Sequence, residues 1–247
     1  MPLPRVLLLE DDPAIRRFVQ LALNSLSIDL VSCASLGEAR QELARAPIAL
    51  LLTDLALPDG SGREAFPPIH PDGTTSWRTV VFSGGVDTAL QQQPQALGVW
   101  RVLHKPVAVA DLQRCVSEAL NALPDSPHSQ PAVPAQRWAS ETNTDPVAAF
   151  FGGNHSLYDN YRGICLRQFP QDVRDGDAAL RAGDSAALRR IAHNLKSALT
   201  LLGLEHAAQL ARNAEESAMQ GTPADMRMHW QRLRQQVKSY ASAQLPV

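Results

Sequence analysis

The chain has 247 residues, of which 45% are hydrophobic and 19% are charged, a composition that is typical of globular proteins and excludes a disordered or fibrous chain. The net charge of −2 gives no support to a nucleic-acid partner, and three cysteines without paired spacing argue against a disulfide framework or a zinc site. No apolar run approaches the roughly 18 residues that a membrane span needs, and the run before Glu10 is too short for a signal peptide. We therefore expect a cytoplasmic protein that neither inserts into a membrane nor binds nucleic acid.

Residues 1–122 alternate between short apolar runs and segments that can form helices. The apolar runs, which predict five strands, are Val6–Leu9, Ile28–Val31, Ile48–Leu52, Thr79–Phe82 and Val99–Leu103. A helical stripe behind the first run comprises Ile15, Phe18, Val19, Ala22 and Leu26. Pro67, Pro68 and Pro71 are expected to cut the third helix short. The alternation predicts a doubly wound α/β domain with a five-stranded parallel sheet.

The composition changes in the second half of the chain. Residues 123–146 are rich in proline, which interrupts helices, so this segment is predicted to be an extended linker. Residues 147–247 show helical periodicity without strand-like alternation and predict an all-α bundle. The first domain has 10 basic and 13 acidic side chains (−3), and the last has 12 and 9 (+3).

Charged and polar side chains are predicted at the carboxyl ends of the strands, where open parallel sheets place their working residues. They are Glu10, Asp11, Asp12, Asp54, Ser83 and Lys105. Any one of them alone is more often a helix cap or a solvated loop charge. Converging carboxylates, however, repel each other and call for a cation such as Mg²⁺, beside which Asp54 can act as a nucleophile toward phosphorus. Ser83 and Lys105 would then bind the phosphoryl oxygens.

The segments VLLLEDDPAIR, LLTDLALPDGSG, VVFSGG and VLHKP resemble the four motif blocks of two-component response regulator receiver domains. The resemblance covers residues 1–122 and implies a flavodoxin-like fold. It implies a Mg²⁺ site formed by Glu10 through water, Asp11 directly, Asp54 and the Ala56 carbonyl. It further implies that Asp54 is phosphorylated from a phosphohistidine, that Ser83 is the switch hydroxyl and that Lys105 contacts the phosphate.

The second domain contains an amphipathic helix with a conspicuous histidine. Its apolar stripe comprises Leu188, Ile191, Ala192, Leu195, Leu199 and Leu202, and Asp184 is a natural N-cap. His193 lies about 140° from the centre of this stripe, so we expect it to face solvent with Lys196 and Ser197 beside it. An unprotonated imidazole is nucleophilic, and neighbouring cations offset phosphate charge. A solvated side chain is the common alternative for an exposed helical histidine.

The string AHNLKSALTLLG resembles the signature of histidine phosphotransfer (HPt) domains, which are helical bundles with an exposed active histidine. The resemblance covers roughly residues 147–247 and assigns the phosphoryl carrier to His193, with Lys196 as the accompanying cation. Ser197 stands where the family usually has glycine. As a small residue, it is expected to leave room for a partner's active site.

Together the two resemblances imply a phosphorelay intermediate rather than an enzyme that acts on a separate substrate. A sensor histidine kinase would phosphorylate Asp54, and His193 would pass the group to a downstream response regulator receiver. A phosphate sink or adaptor without onward transfer has the same residues and stays open. A DNA-binding regulator would need a basic recognition helix, and a haloacid-dehalogenase-type phosphatase would need an acid where Ala56 stands.

Overall fold

The computed structural model describes residues 2–68, 75–83, 98–121 and 145–244. The chain divides into two compact units, Met1–Thr144 and Asp145–Val247. The predicted linker 123–146 and the helix expected after the fourth strand lie almost wholly outside the described residues. No helix in the described ranges is both long enough and apolar enough to cross a bilayer.

The first unit is built on a parallel sheet. Its described elements are β1 (Arg5–Leu9), α1 (Pro13–Leu23), β2 (Asp29–Cys33), α2 (Leu36–Arg45), β3 (Leu50–Asp54), β4 (Ala56–Leu57), β5 (Gly60–Ser61), a 3₁₀-helix (Gly62–Ala65), β6 (Arg78–Ser83), β7 (Arg101–His104) and α3 (Val109–Asn121). The five-stranded sheet has the order β2-β1-β3-β6-β7, and all its neighbouring strands are parallel. The prediction of a flavodoxin-like doubly wound sheet is confirmed.

The strands lie two residues or fewer from the predicted runs, shifted mostly toward their carboxyl ends. Val6–Leu9 are fully buried, as expected for a central strand covered on both faces. The helical stripe is confirmed for Ile15, Phe18, Val19 and Ala22, which are buried on α1. The extension to Leu26 is wrong, because α1 ends at Leu23.

A hairpin and one 3₁₀ turn stand in place of a full third helix. The carboxylate of Asp59, in the hairpin turn, accepts hydrogen bonds from the backbone N–H groups of Leu36 and Gly37, both at 3.1 Å, and so ties the turn to α2. Gly62 lies against the end of β3, where a Cβ would fall 1.8 Å from the Asp54 carbonyl oxygen. Only glycine therefore lets the hairpin close behind Asp54.

The second unit is helical, as predicted. It contains α4 (Pro146–Phe151), α5 (His155–Ala182), α6 (Ser185–Leu201), α7 (Glu205–Gln220) and α8 (Pro223–Gln244). The last four, joined by short connections, pack in a ring in which α5 contacts α6 and α8, and α7 contacts α6 and α8. Pro146, predicted to belong to the linker, is instead the first residue of α4, where proline is favoured because its missing N–H has no helical partner.

The closest packing lies between α6 and α7. One face of α7 is buried and consists of small residues, Ala207, Ala208, Ala211 and Ala214. Helices with such faces approach each other closely because little side-chain volume separates their backbones. Polar groups at the rim of this face are therefore brought within reach of α6.

Gly176 on α5 is expected to be intolerant of alanine. A Cβ at Gly176 would lie 2.0 Å from the ring of the fully buried Trp230, so alanine should destabilise the helical domain by about 1–3 kcal/mol. Gly163, on the same helix, has only the tip of Arg167 within 3.5 Å. Gly163→Ala should be neutral or stabilising by up to about 1 kcal/mol. Denaturant unfolding of both variants checks this, and equal effects would contradict it.

Candidate functional site

The carboxyl ends of the strands meet at one edge of the first unit. Leu9 of β1 is paired with Thr53 of β3, directly before Asp54. Ser83, the last residue of β6, is paired with His104 of β7, directly before Lys105. The strand order reverses between β1 and β3, which is where ligands bind in open α/β sheets. The acids at the carboxyl ends of β1 and β3 therefore lie at the expected binding crevice.

A buried lysine joins two of the predicted carboxylates. The Lys105 ammonium lies 2.6 Å from Glu10 Oε2 and 2.5 Å from Asp54 Oδ2, and all three side chains are buried. The other Asp54 oxygen, Oδ1, accepts hydrogen bonds from the N–H groups of Leu55 at 2.5 Å and Ala56 at 3.2 Å. Both oxygens of the Asp54 carboxylate are thus held in place, Oδ1 by backbone N–H groups and Oδ2 by the Lys105 ammonium.

Burial and charge shift the ionisation of this cluster. Burial raises the pKa of Glu10 to about 8, although its ion pair with Lys105 opposes the rise. Burial lowers the pKa of Lys105, but the charges of Glu10 and Asp54 outweigh it and hold the pKa above its usual value. Burial of two carboxylates beside one ammonium disfavours the ionised form of Glu10, and a further cation bound here would favour that ionised form.

Asp11 completes a set of carboxylates that fits a metal ion. One oxygen from each of Glu10, Asp11 and Asp54 can be chosen so that all three lie within 4.8 Å of one another. Oxygen ligands at the mouth of a crevice suit Mg²⁺, which keeps several waters and accepts phosphate oxygens. The residues present therefore fit the Mg²⁺ site implied by the family resemblance.

The remaining residues of this edge have separate placements. Asp12 is an N-cap, because its carboxylate accepts hydrogen bonds from Ala14 and Ile15 at the start of α1. Ala56 lies two residues beyond Asp54 in β4, and the metal role of its carbonyl stays a prediction. The backbone of Ser83 ends β6 at this edge, but its side chain lies outside the described part of the chain, so its hydroxyl role also stays a prediction.

In the second unit, a carboxylate from a neighbouring helix binds the predicted histidine. Glu215 Oε1 on α7 lies 2.7 Å from His193 Nδ1 on α6, and Glu215 Oε2 lies 2.6 Å from the Lys196 ammonium. Lys196 Nζ is also 3.4 Å from His193 Nδ1. Because a carboxylate only accepts, this geometry assigns the Nδ1 proton to the bond with Glu215 and leaves Nε2 with its lone pair.

Glu215 is strongly acidic in this arrangement. Partial burial alone would raise its pKa, but the hydrogen bonds and charges of His193 and Lys196 lower it to about 2. The carboxylate is thus ionised at neutral pH and orients both side chains. Because it is ionised, the Glu215 carboxylate can also stabilise a positive charge on the His193 imidazole.

The expectation that His193 and Ser197 both face solvent is wrong in part. The His193 side chain is only 16% exposed, and Ser197 is 2% exposed. The reason is that α6 is covered over more of its circumference than the apolar stripe indicates, since Ala198 and Leu201 are buried as well. The Asp184 cap is confirmed by its hydrogen bond from Ala187 N–H at 2.9 Å.

Glu215 is the candidate functional residue that the sequence analysis missed. It lies seven residues after the buried Ala208, on nearly the same face of α7, so it sits at the rim of the small-residue stripe. This position of Glu215 beside the alanine stripe can be recognised from the sequence. Its pairing with His193, however, depends on the register between α6 and α7.

Comparisons with known proteins identify both halves. Residues 6–117 match the response regulator receiver domain family, and residues 160–243 match the Hpt domain family. The response regulator protein PilR of Pseudomonas aeruginosa is 36% identical over 119 residues, which cover 47% of this chain and 26% of PilR. The response regulator receiver protein CpdR of Brucella abortus is 31% identical over 121 residues, which cover 48% of this chain and 98% of CpdR.

A solved structure is also similar to the first half. The crystal structure of a CheY-like response regulator receiver domain protein from Methanospirillum hungatei JF-1 has 25% sequence identity and a TM-score of 0.42. The alignment covers 48% of this chain and 94% of that one. The chain spans about a quarter of the length of PilR and nearly all of CpdR.

Proposed function

Because this chain belongs to the response regulator receiver family and joins its receiver domain to an Hpt domain, we propose that it is a phosphorelay intermediate. A separate sensor histidine kinase phosphorylates Asp54, His193 takes the phosphoryl group, and a downstream receiver accepts it from His193. The chain is then a phosphotransfer signalling protein whose receiver domain catalyses its own phosphorylation, and no separate substrate is turned over.

The observation that carries the proposal is the hydrogen bond between Glu215 and His193 Nδ1. A histidine serves as a phosphoryl carrier when one ring nitrogen has a free lone pair and the ring is held in one orientation. Within the described part of the chain, both ring contacts of His193 are at Nδ1, so Nε2 is the nitrogen that reacts. A merely solvated histidine would not need a partly buried carboxylate as its acceptor.

The first transfer takes place at the edge of the receiver sheet. An oxygen of the Asp54 carboxylate attacks the phosphorus of the kinase phosphohistidine, and the P–N bond breaks as the kinase imidazole leaves. Lys105, already within 2.5 Å of Asp54, exchanges its carboxylate contacts for the phosphoryl oxygens. Glu10, Asp11, Asp54 and the Ala56 carbonyl would hold Mg²⁺, which would neutralise charge on those oxygens.

The second transfer needs no added proton. The His193 Nε2 lone pair attacks the phosphorus of the Asp54 acyl phosphate, the P–O bond breaks, and its electrons return to the Asp54 carboxylate. The Nδ1 proton stays in the bond to Glu215, which stabilises the positive charge that the ring acquires during attack. Lys196, held by the same carboxylate, offers a cation to the phosphoryl group.

The second candidate function is a phosphate sink. It uses the same two residues and differs only in having no downstream acceptor. Onward transfer from His193 to candidate receivers, measured as turnover, separates the two functions.

The proposal is tested by locating phosphate after treatment with acetyl phosphate and Mg²⁺. Mass spectrometry of the unsubstituted chain should find phosphate on Asp54 and on His193. The Asp54→Ala variant should carry phosphate on neither residue, and the His193→Gln variant on Asp54 alone. Alkali treatment adds a second criterion, since phosphohistidine survives it and acyl phosphate does not. Phosphate that stops at Asp54 in the unsubstituted chain would contradict the relay.

A further inference from the structure

We propose that Met219 and Arg189 form the docking surface through which the Hpt domain binds a receiver domain, with Met219 as its apolar anchor. This inference rests on the proposed function, because it names the surface that the partner of His193 covers. It concerns two side chains to which no catalytic role has been assigned above.

Met219 is an exception among the large apolar side chains. In the described ranges only Leu3, Met219 and Met228 are exposed, and Met219 is 51% exposed. It lies four residues after Glu215, one turn along the same flank of α7. Because Glu215 reaches across to His193, this flank is the one that borders the phosphoryl site.

Helix geometry places Arg189 at the level of Met219, on the other side of the groove between α6 and α7. Arg189 lies four residues before His193, hence one turn back on the same face of α6. The helices are antiparallel, so the turn before His193 on α6 lies beside the turn after Glu215 on α7. Arg189 is exposed and makes no ion pair within the described residues.

The charge around the groove favours an acidic partner. Within four residues of His193 or Glu215 on these helices lie four cations, Arg189, Arg190 and Lys196 on α6 and Arg212 on α7, against two carboxylates, Glu215 and Glu216. A receiver has the opposite character at its phosphorylation site, where Glu10, Asp11, Asp12 and Asp54 outnumber Lys105 in this chain. Complementary charge steers encounter, and a central apolar side chain supplies affinity. A flexible methionine also suits a surface that must bind two receivers in turn.

The test uses transfer between two forms of the full chain, so that only intermolecular transfer is seen. The donor is the His193→Gln chain phosphorylated on Asp54 with acetyl phosphate and Mg²⁺. The acceptor is the Asp54→Ala chain, which retains His193. The initial rate of His193 labelling at increasing donor concentration gives a half-saturating concentration and a maximal rate.

Substitution of a docking residue should change the half-saturating donor concentration and leave the maximal rate unchanged. Met219→Glu and Arg189→Glu in the acceptor should each raise the half-saturating donor concentration about tenfold, with the maximal rate within about twofold of the parent. Met219→Ala should raise it about threefold. Matched controls are Met228→Glu and Arg227→Glu, which make the same charge changes at exposed positions on α8. Met228 lies two residues before the buried Trp230, on the opposite side of that helix.

Several results would overturn the docking surface. One is an equal effect of Met219→Glu and Met228→Glu, and another is a fall in maximal rate at an unchanged half-saturating concentration. A third is that the parent chain is a dimer in solution, whereas Met219→Glu is a monomer with an unchanged transfer rate. That result would assign this face to a second copy of the chain. Absence of transfer from the His193→Gln donor to the Asp54→Ala acceptor would overturn the docking surface as a site of intermolecular transfer. Absence of phosphate on His193 in the unsubstituted chain would instead overturn the proposed function, and the docking surface with it.

Discussion

Replacing Glu215 by alanine is expected to slow phosphoryl transfer to His193 by about 10–100-fold. The variant loses the acceptor that holds the Nδ1 proton, so the ring rotates and its reacting tautomer is no longer fixed. The rate is measured as labelling of His193 in the Asp54→Ala chain by the phosphorylated His193→Gln chain. An unchanged rate would contradict the positioning role.

Glu215→Gln is the control that separates orientation from charge. Its amide oxygen can still accept the Nδ1 proton but carries no charge, so transfer should be slower than in the parent chain and faster than in Glu215→Ala. If the glutamine variant were as slow as the alanine variant, the charge of Glu215 would be its essential property. The His193–Glu215 hydrogen bond would then be incidental to transfer.

The same carboxylate should give the helical domain a pH-dependent stability. The folded-state pKa of Glu215 is lowered from 4.5 to about 2, so its ionised form is favoured by folding. Its stabilising effect is present above about pH 4.5 and is lost as the pH falls through about 2. At pH 7, Glu215→Gln should therefore lower the free energy of unfolding by about 1–2 kcal/mol. Denaturant titrations should show this difference shrinking in acid, and a constant difference would contradict it.

Lys105→Met is expected to destabilise the receiver domain by about 3–5 kcal/mol in the absence of divalent cations. Methionine has a similar length but no charge, so the buried carboxylates of Glu10 and Asp54 would lose the cation they share. Phosphorylation of Asp54 should be lost as well, because no ammonium remains to bind the phosphoryl oxygens. The unfolding free energy and the phosphate content measure the two effects.

Added Mg²⁺ should restore part of the unfolding free energy that Lys105→Met loses. The increase should be larger in this variant than in the parent chain. Arg114→Met is the matched control, since it removes one cation from an exposed ion pair with Asp111 in the same domain. Its effect should not exceed about 0.5 kcal/mol. Equal destabilisation by the two substitutions would contradict a buried role for Lys105.

The sheet could be predicted because apolar runs mark buried strands, but the strand ends could not. β3 continues through Thr53 and Asp54, and β2 through Ser32 and Cys33, because backbone pairing proceeds where polar side chains still fit. The helix α1 ends at Leu23 although apolar periodicity continues to Leu26. Periodicity locates a buried face and does not show where the hydrogen-bonded turns stop.

The receiver site was predictable because parallel strands end at one edge of a sheet. This rule alone brings Glu10, Asp11, Asp54 and Lys105 together, as the structure places them. On the helical domain, His193 and the neighbouring Lys196 were predictable, but Glu215 was not. Glu215 lies 22 residues after His193, and their contact depends on how deeply the alanine face of α7 packs against α6.

The most direct test of the central claim is a pulse–chase measurement on the unsubstituted chain. The chain is labelled briefly with acetyl phosphate and Mg²⁺, the donor is removed, and the phosphate on Asp54 and His193 is followed over time. The account predicts that phosphate lost from Asp54 appears on His193, with a lag in His193 labelling. If His193 were labelled without a lag, and equally in the Asp54→Ala chain, the two residues would not form a relay.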